Sequence, residues 1–365
     1  MFSTILQRLL KHIDSFLMAC LLFTMLVGLF VLYSASGHSF GRVSAQLINI
    51  SVAFLLMWLV ANIQPQHLER IAIPAYLLGV LLLIAVALFG DISHGARRWL
   101  NLGFTKIQPS EIMRIAMPMM LAWYFSKRES HPRPSDFIIA ALLLVVPVAL
   151  IMKQPDLGTA LLISASGFFV LFLAGLSWKF LIGGTIAIGA SMPIFWSMLH
   201  DYQRKRIEIL IDPSQDPLGA GYHTIQATIA LGSGGLTGKG WLNGTQAQLD
   251  FLPERTTDFI FAVFGEEFGM IGNLMLLTLF SLIIIRGLVI ASQAKSTFSR
   301  LLAGSITLTF FTYAFVNIGM VSGILPVVGV PLPLISYGGT SMVTLLVGFG
   351  ILMSIQTHKK LVASG

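Results

Sequence analysis

Long apolar segments recur along the whole chain and are separated by short stretches that carry most of the charged residues. Each segment is close to the roughly 20 residues that an α-helix needs to cross a bilayer. We therefore predict an all-α polytopic membrane protein with about ten transmembrane helices. The predicted spans cover about 16–34, 46–63, 71–90, 109–125, 137–152, 157–176, 180–199, 258–285, 301–324 and 334–355.

The only long connection, about 200–257, lies between the seventh and eighth predicted spans. It does not suggest a separate soluble domain, so we predict a single transmembrane domain over residues 1–365. Twelve lysine and arginine residues fall in segments on the side of the termini, against five in the short loops opposite. Because short cytoplasmic loops are enriched in these residues, we expect both termini in the cytoplasm and the long loop outside.

Composition supports the membrane class. Hydrophobic residues make up 55% of the chain and charged residues 11%, whereas soluble domains carry about 25% charged residues. In such a protein the net charge of +7 reflects the orientation of the loops and their contact with lipid headgroups. Since the sequence contains no base-reading motif, we expect no nucleic-acid partner. The single cysteine, Cys20, cannot form an internal disulfide. No histidine and cysteine cluster has metal-site spacing, so we expect no metal held by the protein alone.

Acidic residues at the start of the eighth predicted span suggest a functional site. Asp258 marks the expected water boundary, after the charged pair Glu254 and Arg255, and Glu266 and Glu267 follow roughly 12 Å further along the helix. Ionisable groups inside a bilayer cost about 2.5–3.5 kcal/mol each on insertion scales, so they usually face a polar cavity. Most acids of the chain fall on the outer side, which favours a polar site open to the outside. Simple capping of outer helix starts is the alternative.

Two other predicted spans begin with a Gln-Pro pair followed by an acidic residue. A Gln-Pro pair is followed by Glu111 at the fourth span and by Asp156 at the sixth. Arg114 shares a helix face with Glu111, and Lys153 directly precedes the second copy. Proline followed by an acid is a common helix start, so structural ion pairing and capping explain these residues as well as substrate binding does.

Outer loops also carry cations beside aromatic residues, in the segments GARRWL and DYQRKR. One interpretation is snorkelling to lipid headgroups. The other is a diphosphate cradle, because arginine forks pair with phosphate oxygens. The candidate cations in outer loops and at outer helix starts are Arg42, Arg98, Lys106, Arg114, Lys153, Arg204 and Arg206.

Two glycine-rich segments have different interpretations. The glycine-rich loop, residues 232–240, fails the P-loop pattern because Ser233 stands where glycine is needed and Gly240 where Ser or Thr is needed. We predict a tight outer loop or re-entrant turn. The segment 319–339 interrupts an apolar region with three prolines and many glycines. Broken backbone at membrane depth is tolerated where it is buried in protein or lines a watery cavity, so it supports an outward-facing cavity.

Ordered motifs spread over nearly the whole chain resemble the SEDS family of cell-shape, division and sporulation proteins. The segments GKGWLNGTQ and NIGMVSGILPVVGVPLP are more similar to its elongation branch than to its division branch. The motifs are YSAS (33–36), GARRWL (95–100), QPSE (108–111), QPDLGT (154–159), DYQRKRI (201–207), GYHTIQATIALGSGGLTGKGW (221–241), LPERTTDFIFAVFGEEFG (252–269) and LPVVGVPLPLISYGG (325–339).

The resemblance implies a peptidoglycan glycosyltransferase that polymerises lipid II on the outer face of the bacterial inner membrane, for elongation and rod shape. It implies a class B penicillin-binding protein, a transpeptidase, as partner, with other membrane proteins of an elongation complex. Asp258 falls where the family's essential aspartate stands, and Glu111 matches a family glutamate. Arg114 stands where lysine is more common, which keeps the charge without a compact ammonium.

The residues suit that chemistry. Asp258 is the candidate general base for an acceptor hydroxyl, and the cations are candidates to stabilise a departing diphosphate. One carboxylate base without an obvious carboxylate nucleophile favours a single inverting displacement. We expect no resident cofactor; a magnesium or manganese ion accompanying the substrate diphosphate is compatible with this scheme. The alternatives are a flippase for lipid-linked precursors, which favours internal repeats and a midplane site, and a structural scaffold, which needs no buried acids.

Overall fold

The computed structural model describes a defined part of the chain. The described residues are 11–93, 96–101, 106–128, 132–198, 204, 208–210, 212, 220–249, 251–252 and 254–358. Arg206, one of the predicted site residues, lies outside them, as do the ends of the chain.

Helices dominate the described residues. They are α1 (Ser15–Ala35), α2 (Phe40–Ala61), α3 (Pro65–Phe89), α4 (Pro109–Ser126), α5 (Pro134–Met152), α6 (Leu157–Leu173), α7 (Trp178–Met198), α8 (Ala220–Ser233), α9 (Thr245–Gln248), α10 (Ile260–Ser292), α11 (Thr297–Val321) and α12 (Gly339–Thr357). Within the described residues, seven helices are long and apolar enough to cross a membrane: α1, α2, α3, α5, α10, α11 and α12. The multi-pass class is therefore confirmed, and the count of ten crossings stays a prediction.

Several helix starts differ from their predicted positions because capping groups decide them. The second span was predicted from residue 46, but α2 begins at Phe40, where the Ser39 side chain accepts a hydrogen bond from Arg42 N. Likewise α3 begins at Pro65 with proline in its first turn. Two starts come later than predicted: α10 begins at Ile260, with Asp258 in the turn before it, and α12 begins at Gly339. A hydropathy pattern does not locate helix starts that lie in polar turns or next to irregular backbone.

A small sheet corrects the all-α prediction. The connection between α3 and α4 contains β1 (Asp91–Ser93), β2 (Ala96–Asn101) and β3 (Lys106–Ile107), which pair antiparallel in the order β1-β2-β3. The ARRWL sequence of β2 alternates Arg97 and Trp99 with Arg98 and Leu100, and a strand sends such alternate side chains to opposite faces. The sheet places Arg98 beside the start of α6, which carries one of the predicted acidic groups.

The helix α11 lies at the centre of the bundle. It packs against α4, α6, α10 and α12, and 61% of its apolar window is buried. The outer helices expose large apolar side chains instead: Leu26 is 62% exposed, Leu81 63% and Leu142 61%. Contiguous apolar faces of this kind are suited to lipid rather than water.

A break within α10 is repaired by the glycine-rich loop. Gly269 has φ 64° and ψ −161°, which interrupts the helix. The helix carbonyls just before the break accept hydrogen bonds from the amides of Lys239 and Gly240, both at 3.0 Å. The amides just after it donate to the carbonyls of Gly235 and Leu236 at 2.9 and 3.1 Å. The loop thus supplies the backbone partners that the interrupted helix lacks, which are obligatory away from water.

Candidate functional site

Asp258 lies in the turn that leads into α10, and it is half-buried. Its carboxylate lies beside Gly329: a Cβ at that glycine would be 3.5 Å from Asp258 Oδ2. Gly329 also has φ +71°, a conformation that favours glycine. The carboxylate therefore faces the interrupted stretch between α11 and α12, residues 322–338, which we call the broken segment.

Neighbouring helices hold the broken segment through close contacts. A Cβ on Gly28 of α1 would lie 2.9 Å from Ile335 Cα, and one on Gly158 of α6 would lie 2.7 Å from Val328 O. Neither glycine can carry a side chain without displacing the backbone of the segment. Since Val328 is next to Gly329, the first turn of α6 and the Asp258 carboxylate lie on neighbouring parts of the same segment.

Gln46 of α2 fixes the other end of this segment. Its Nε2 donates to Ser336 O at 3.3 Å, and its Oε1 accepts from Gly338 N at 3.2 Å. Gln46 is 2% exposed, so both hydrogen bonds are shielded from water. These bonds satisfy backbone groups that no helix or sheet pairs in this region.

The two Gln-Pro-acid helix starts meet in a second cluster. Gln108 Nε2 donates to Asp156 Oδ2 at 3.4 Å. Arg114 donates to Glu111 Oε2 at 2.7 Å and to Thr159 Oγ1 at 3.2 Å. Glu111 and Asp156 are each 8% exposed. The structure thus brings together the acids predicted at two separate helix starts, and the buried Arg114 balances one of them.

Arg98 lies at the edge of this cluster. Its Nη2 donates to Pro155 O at 2.6 Å, and its Nε is 3.7 Å from Asp156 Oδ2. The Arg98 side chain is 38% exposed, whereas that of Arg114 is 9% exposed. Of these two cations, Arg98 is therefore the one that an incoming anion can reach.

The two glutamates in α10 form a third cluster. Glu266 is fully buried and accepts hydrogen bonds from Lys239 Nζ at 2.6 Å and Thr245 Oγ1 at 2.9 Å. Glu267 accepts one from Ser34 Oγ of α1. In the structure these two acids tie the glycine-rich loop, α9 and α1 to the broken helix, so their contacts are with the protein's own groups.

The other predicted binding residues lie in varied environments. Arg42 and Lys153 are exposed, Glu254 is exposed with its carboxylate accepting from Thr257 Oγ1, and Arg255 donates to Ala247 O. Arg204 donates to Trp196 O at 3.0 Å and Ser197 O at 2.7 Å, which are carbonyls in the last turn of α7. Lys106 lies in β3, and Arg206 lies outside the described residues.

An apolar groove runs between α2, α3, α4 and α12. Its volume is about 820 Å³, and one end carries Asn49, Gln108, Glu111 and Thr340 among its lining residues. Most of the remaining lining side chains are aliphatic. Gln108 and Glu111 belong to the second cluster, so the polar end of the groove is continuous with that cluster.

Sequence reasoning missed several polar residues that build these clusters. Gln46, Tyr313 and Asn317 lie in apolar helices and received no role, although each is buried. The Arg114 guanidinium lies 5.2 Å from the centroid of the Tyr313 ring. A polar side chain within a long apolar segment is a signal in itself, because it needs a partner there.

We expect Glu111→Gln to lower the free energy of unfolding by about 1–3 kcal/mol, because it removes the charge that Arg114 pairs with in a buried site. Thermal unfolding in detergent measures this. The matched control is Glu69→Gln, whose partner Lys127 has a 56% exposed side chain; we expect less than about 1 kcal/mol there.

A double variant separates structure from substrate binding at this pair. Adding Arg114→Met to Glu111→Gln removes both charges and should restore most of the lost stability. If the restored protein is stable but remains inactive, the pair also serves the chemistry of the site. If the Glu111→Gln variant unfolds at the wild-type temperature, the ion pair does not stabilise the fold.

Comparison with known proteins identifies the family. The sequence model of the FtsW, RodA and SpoVE family of cell cycle proteins matches residues 14–361 of this chain. This chain belongs to the FtsW/RodA/SpoVE family. It is 51% identical over 353 residues to the peptidoglycan glycosyltransferase MrdB of Escherichia coli K12, covering 96% of this chain and 95% of that protein. The family resemblance of the motifs is therefore confirmed.

Two solved structures share the fold. One chain belongs to a peptidoglycan synthase complex that coordinates polymerization and crosslinking; it has a TM-score of 0.82, 30% identity, and coverage of 94% of this chain and 97% of that one. The rod shape determining protein RodA of Thermus thermophilus has a TM-score of 0.71 and 28% identity, with coverage of 94% and 96%. The similarity extends over nearly the whole chain in both cases.

Proposed function

We propose that this chain polymerises lipid II into glycan strands at the outer face of the bacterial inner membrane, for cell elongation. The activity class follows from the family and from 51% identity to MrdB over 96% of the chain: the protein is a peptidoglycan glycosyltransferase. The observation that carries the residue assignment is the half-buried Asp258 carboxylate beside Gly329, at the start of a membrane helix.

The reaction assigns Asp258 the role of general base. An acceptor sugar hydroxyl gives its proton to the carboxylate while its oxygen attacks the anomeric carbon of a lipid-linked sugar. The bond between that carbon and the diphosphate oxygen breaks, and the polyprenyl diphosphate leaves. A single displacement of this kind inverts the anomeric configuration. Half-burial suits the base, because the carboxylate is reached by substrate yet partly shielded from water.

Cations stabilise the diphosphate as it gains charge in the transition state. Arg98 is the best-placed candidate, since its side chain is 38% exposed beside the buried Asp156. Among the described residues, no three His, Cys, Asp or Glu side chains lie close enough together to hold a metal ion. A magnesium or manganese ion that accompanies the substrate diphosphate is compatible with this scheme.

The apolar groove is suited to the polyprenyl tail. Its volume of about 820 Å³ is in the range of small-molecule sites, which run to roughly 1,000 Å³. Its aliphatic lining matches a hydrocarbon chain, and its polar end carries Gln108 and Glu111. A tail in this groove would direct the diphosphate towards the cluster that contains Arg98 and Asp156.

The proposed topology has ten crossings in one transmembrane domain, with both termini cytoplasmic and residues 200–257 outside. The distribution of lysine and arginine supports it. The similarity to a chain of a complex that couples polymerization to crosslinking supports a class B penicillin-binding protein as partner. Other membrane proteins of an elongation complex remain part of the proposal.

Proteoliposomes with purified lipid II test the proposal against the flippase alternative. In the presence of its class B penicillin-binding protein, a polymerase converts lipid II into glycan chains, which electrophoresis resolves. A flippase instead moves labelled lipid II between leaflets without elongation. Lipid movement in the absence of any polymer would overturn the proposal.

We expect Ala75→Phe, which fills the groove, to raise the KM for lipid II by about 10-fold, because one or two displaced methylene contacts are each worth roughly 0.8 kcal/mol. The control is Leu78→Phe on the same helix, which is 53% exposed towards lipid and does not line the groove. A substrate with a short lipid should be insensitive to Ala75→Phe. An equal rise in KM for both substrates would contradict the tail assignment.

A further inference from the structure

Three successive carbonyls of the turn before α10 are each held by a separate donor. Thr256 O accepts from Tyr337 N at 2.9 Å, and Thr257 O accepts from Ser336 Oγ at 2.5 Å. Asp258 O accepts from Asn317 Nδ2 at 2.8 Å. Two of these donors belong to the broken segment and the third to α11, and all hold the backbone that carries the Asp258 carboxylate.

Asn317 does more than hold that one carbonyl. Its Nδ2 also donates to Val330 O at 2.7 Å. Val330 follows Gly329, the residue beside the Asp258 carboxylate. One amide group therefore fixes both the main chain of Asp258 and the wall against which its side chain lies.

The residue type at this position fits the task. An NH2 group has two hydrogens for two acceptors, whereas a hydroxyl has one and an ionised carboxylate has none. Asn317 is fully buried, and its Oδ1 has no hydrogen-bond partner among the described residues. Because the side chain is buried, its two donated hydrogen bonds are shielded from water, and a hydroxyl or a carboxylate could not make both.

We propose that Asn317 and Ser336 are positioning residues for the glycosyl transfer and hold Asp258 at the correct place for proton abstraction. This rests on the proposed role of Asp258 as general base. Neither side chain needs to touch substrate, because each acts through backbone of the turn. A misplacement of about 1 Å in a catalytic group is enough to lower a rate by roughly 10²-fold.

The test is Asn317→Leu, which keeps a similar shape and removes both donated hydrogen bonds. We expect kcat for lipid II polymerisation to fall about 10- to 100-fold with KM changed less than about 3-fold. Ser336→Ala should act in the same direction, since it frees Thr257 O. Ser336→Ala alone decides the matter if Asn317→Leu does not fold.

Ser305→Ala is the matched control. Ser305 lies on the same helix, is fully buried, and donates to Ser166 O at 2.7 Å, a contact outside the Asp258 turn. Its loss removes one buried hydrogen bond without touching the turn, so kcat should stay at the wild-type value. An equal fall in kcat for Ser305→Ala and Asn317→Leu would show a general packing effect and overturn the proposal.

A double variant separates this proposal from the assignment of Asp258. If Asn317 acts through the Asp258 base, Asn317→Leu should cause no further loss in an Asp258→Asn background. A further loss as large as in the wild type overturns the positioning role. Full activity of Asp258→Asn would overturn the base assignment itself. If Asp258→Asn is inactive while Asn317→Leu folds and polymerises at the wild-type rate, only the positioning role is overturned.

Discussion

We expect the Asp258→Asn variant to fold and to bind its partner but to polymerise lipid II about 10²–10⁴ times more slowly than the wild type, the usual contribution of a general base. Asparagine has nearly the same shape as aspartate but does not accept a proton at this step. The backbone hydrogen bonds of the turn go to main-chain carbonyls and are unaffected. The loss should therefore appear in kcat rather than in stability.

Glu208→Gln provides the control for this prediction. Glu208 lies exposed in the predicted outer loop, so its substitution removes one negative charge from the same side without reaching the turn. Both variants are compared by thermal unfolding, by co-purification with the penicillin-binding protein, and by polymer formed from purified lipid II. Only Asp258→Asn should lose polymer.

Wild-type polymerisation by a folded Asp258→Asn protein would contradict the base assignment. A variant that loses partner binding or unfolds early would point instead to a structural role of the carboxylate. The activity class itself would survive either result, because it rests on the family and on similarity over nearly the whole chain.

The multi-pass helical class was predictable because long apolar segments mark membrane-spanning helices. The starts of α2 and α10 were not, since the capping group Ser39 and the turn around Asp258 override the apolar pattern locally. The sheet between α3 and α4 was also missed. Its strands are short, and Arg97 and Arg98 suggested a loop rather than an alternating strand.

The acids of the site were predictable because a charge in an apolar segment is conspicuous. Their partners were less so. Arg204 was predicted as a phosphate ligand, yet it donates to two carbonyls of α7, and an arginine fork suits either acceptor. Asn317 carries no charge and stands within a helix, so only the folded chain reveals that it meets Asp258 O and Val330 O together.

The break in α10 gives the second large effect: we expect Gly269→Ala to lower the free energy of unfolding by on the order of 3–5 kcal/mol. Gly269 has φ +64°, and a Cβ there would lie 2.3 Å from Gly238 N. Backbone strain at such a position costs about 1–3 kcal/mol, and forcing atoms into a packed site costs a similar amount. The glycine-rich loop must move away, which removes the backbone partners of the interrupted helix.

Gly184→Ala is the control for this loss. Gly184 also lies within a helix, α7, but a Cβ there would meet nothing within 4 Å. Helix propensity favours alanine over glycine by roughly 1 kcal/mol, so this variant should be neutral or slightly more stable. Thermal unfolding and polymerisation of both variants are measured in the same detergent. If Gly269→Ala unfolds at the wild-type temperature, α10 tolerates a continuous helix, and docking of the glycine-rich loop does not depend on the break.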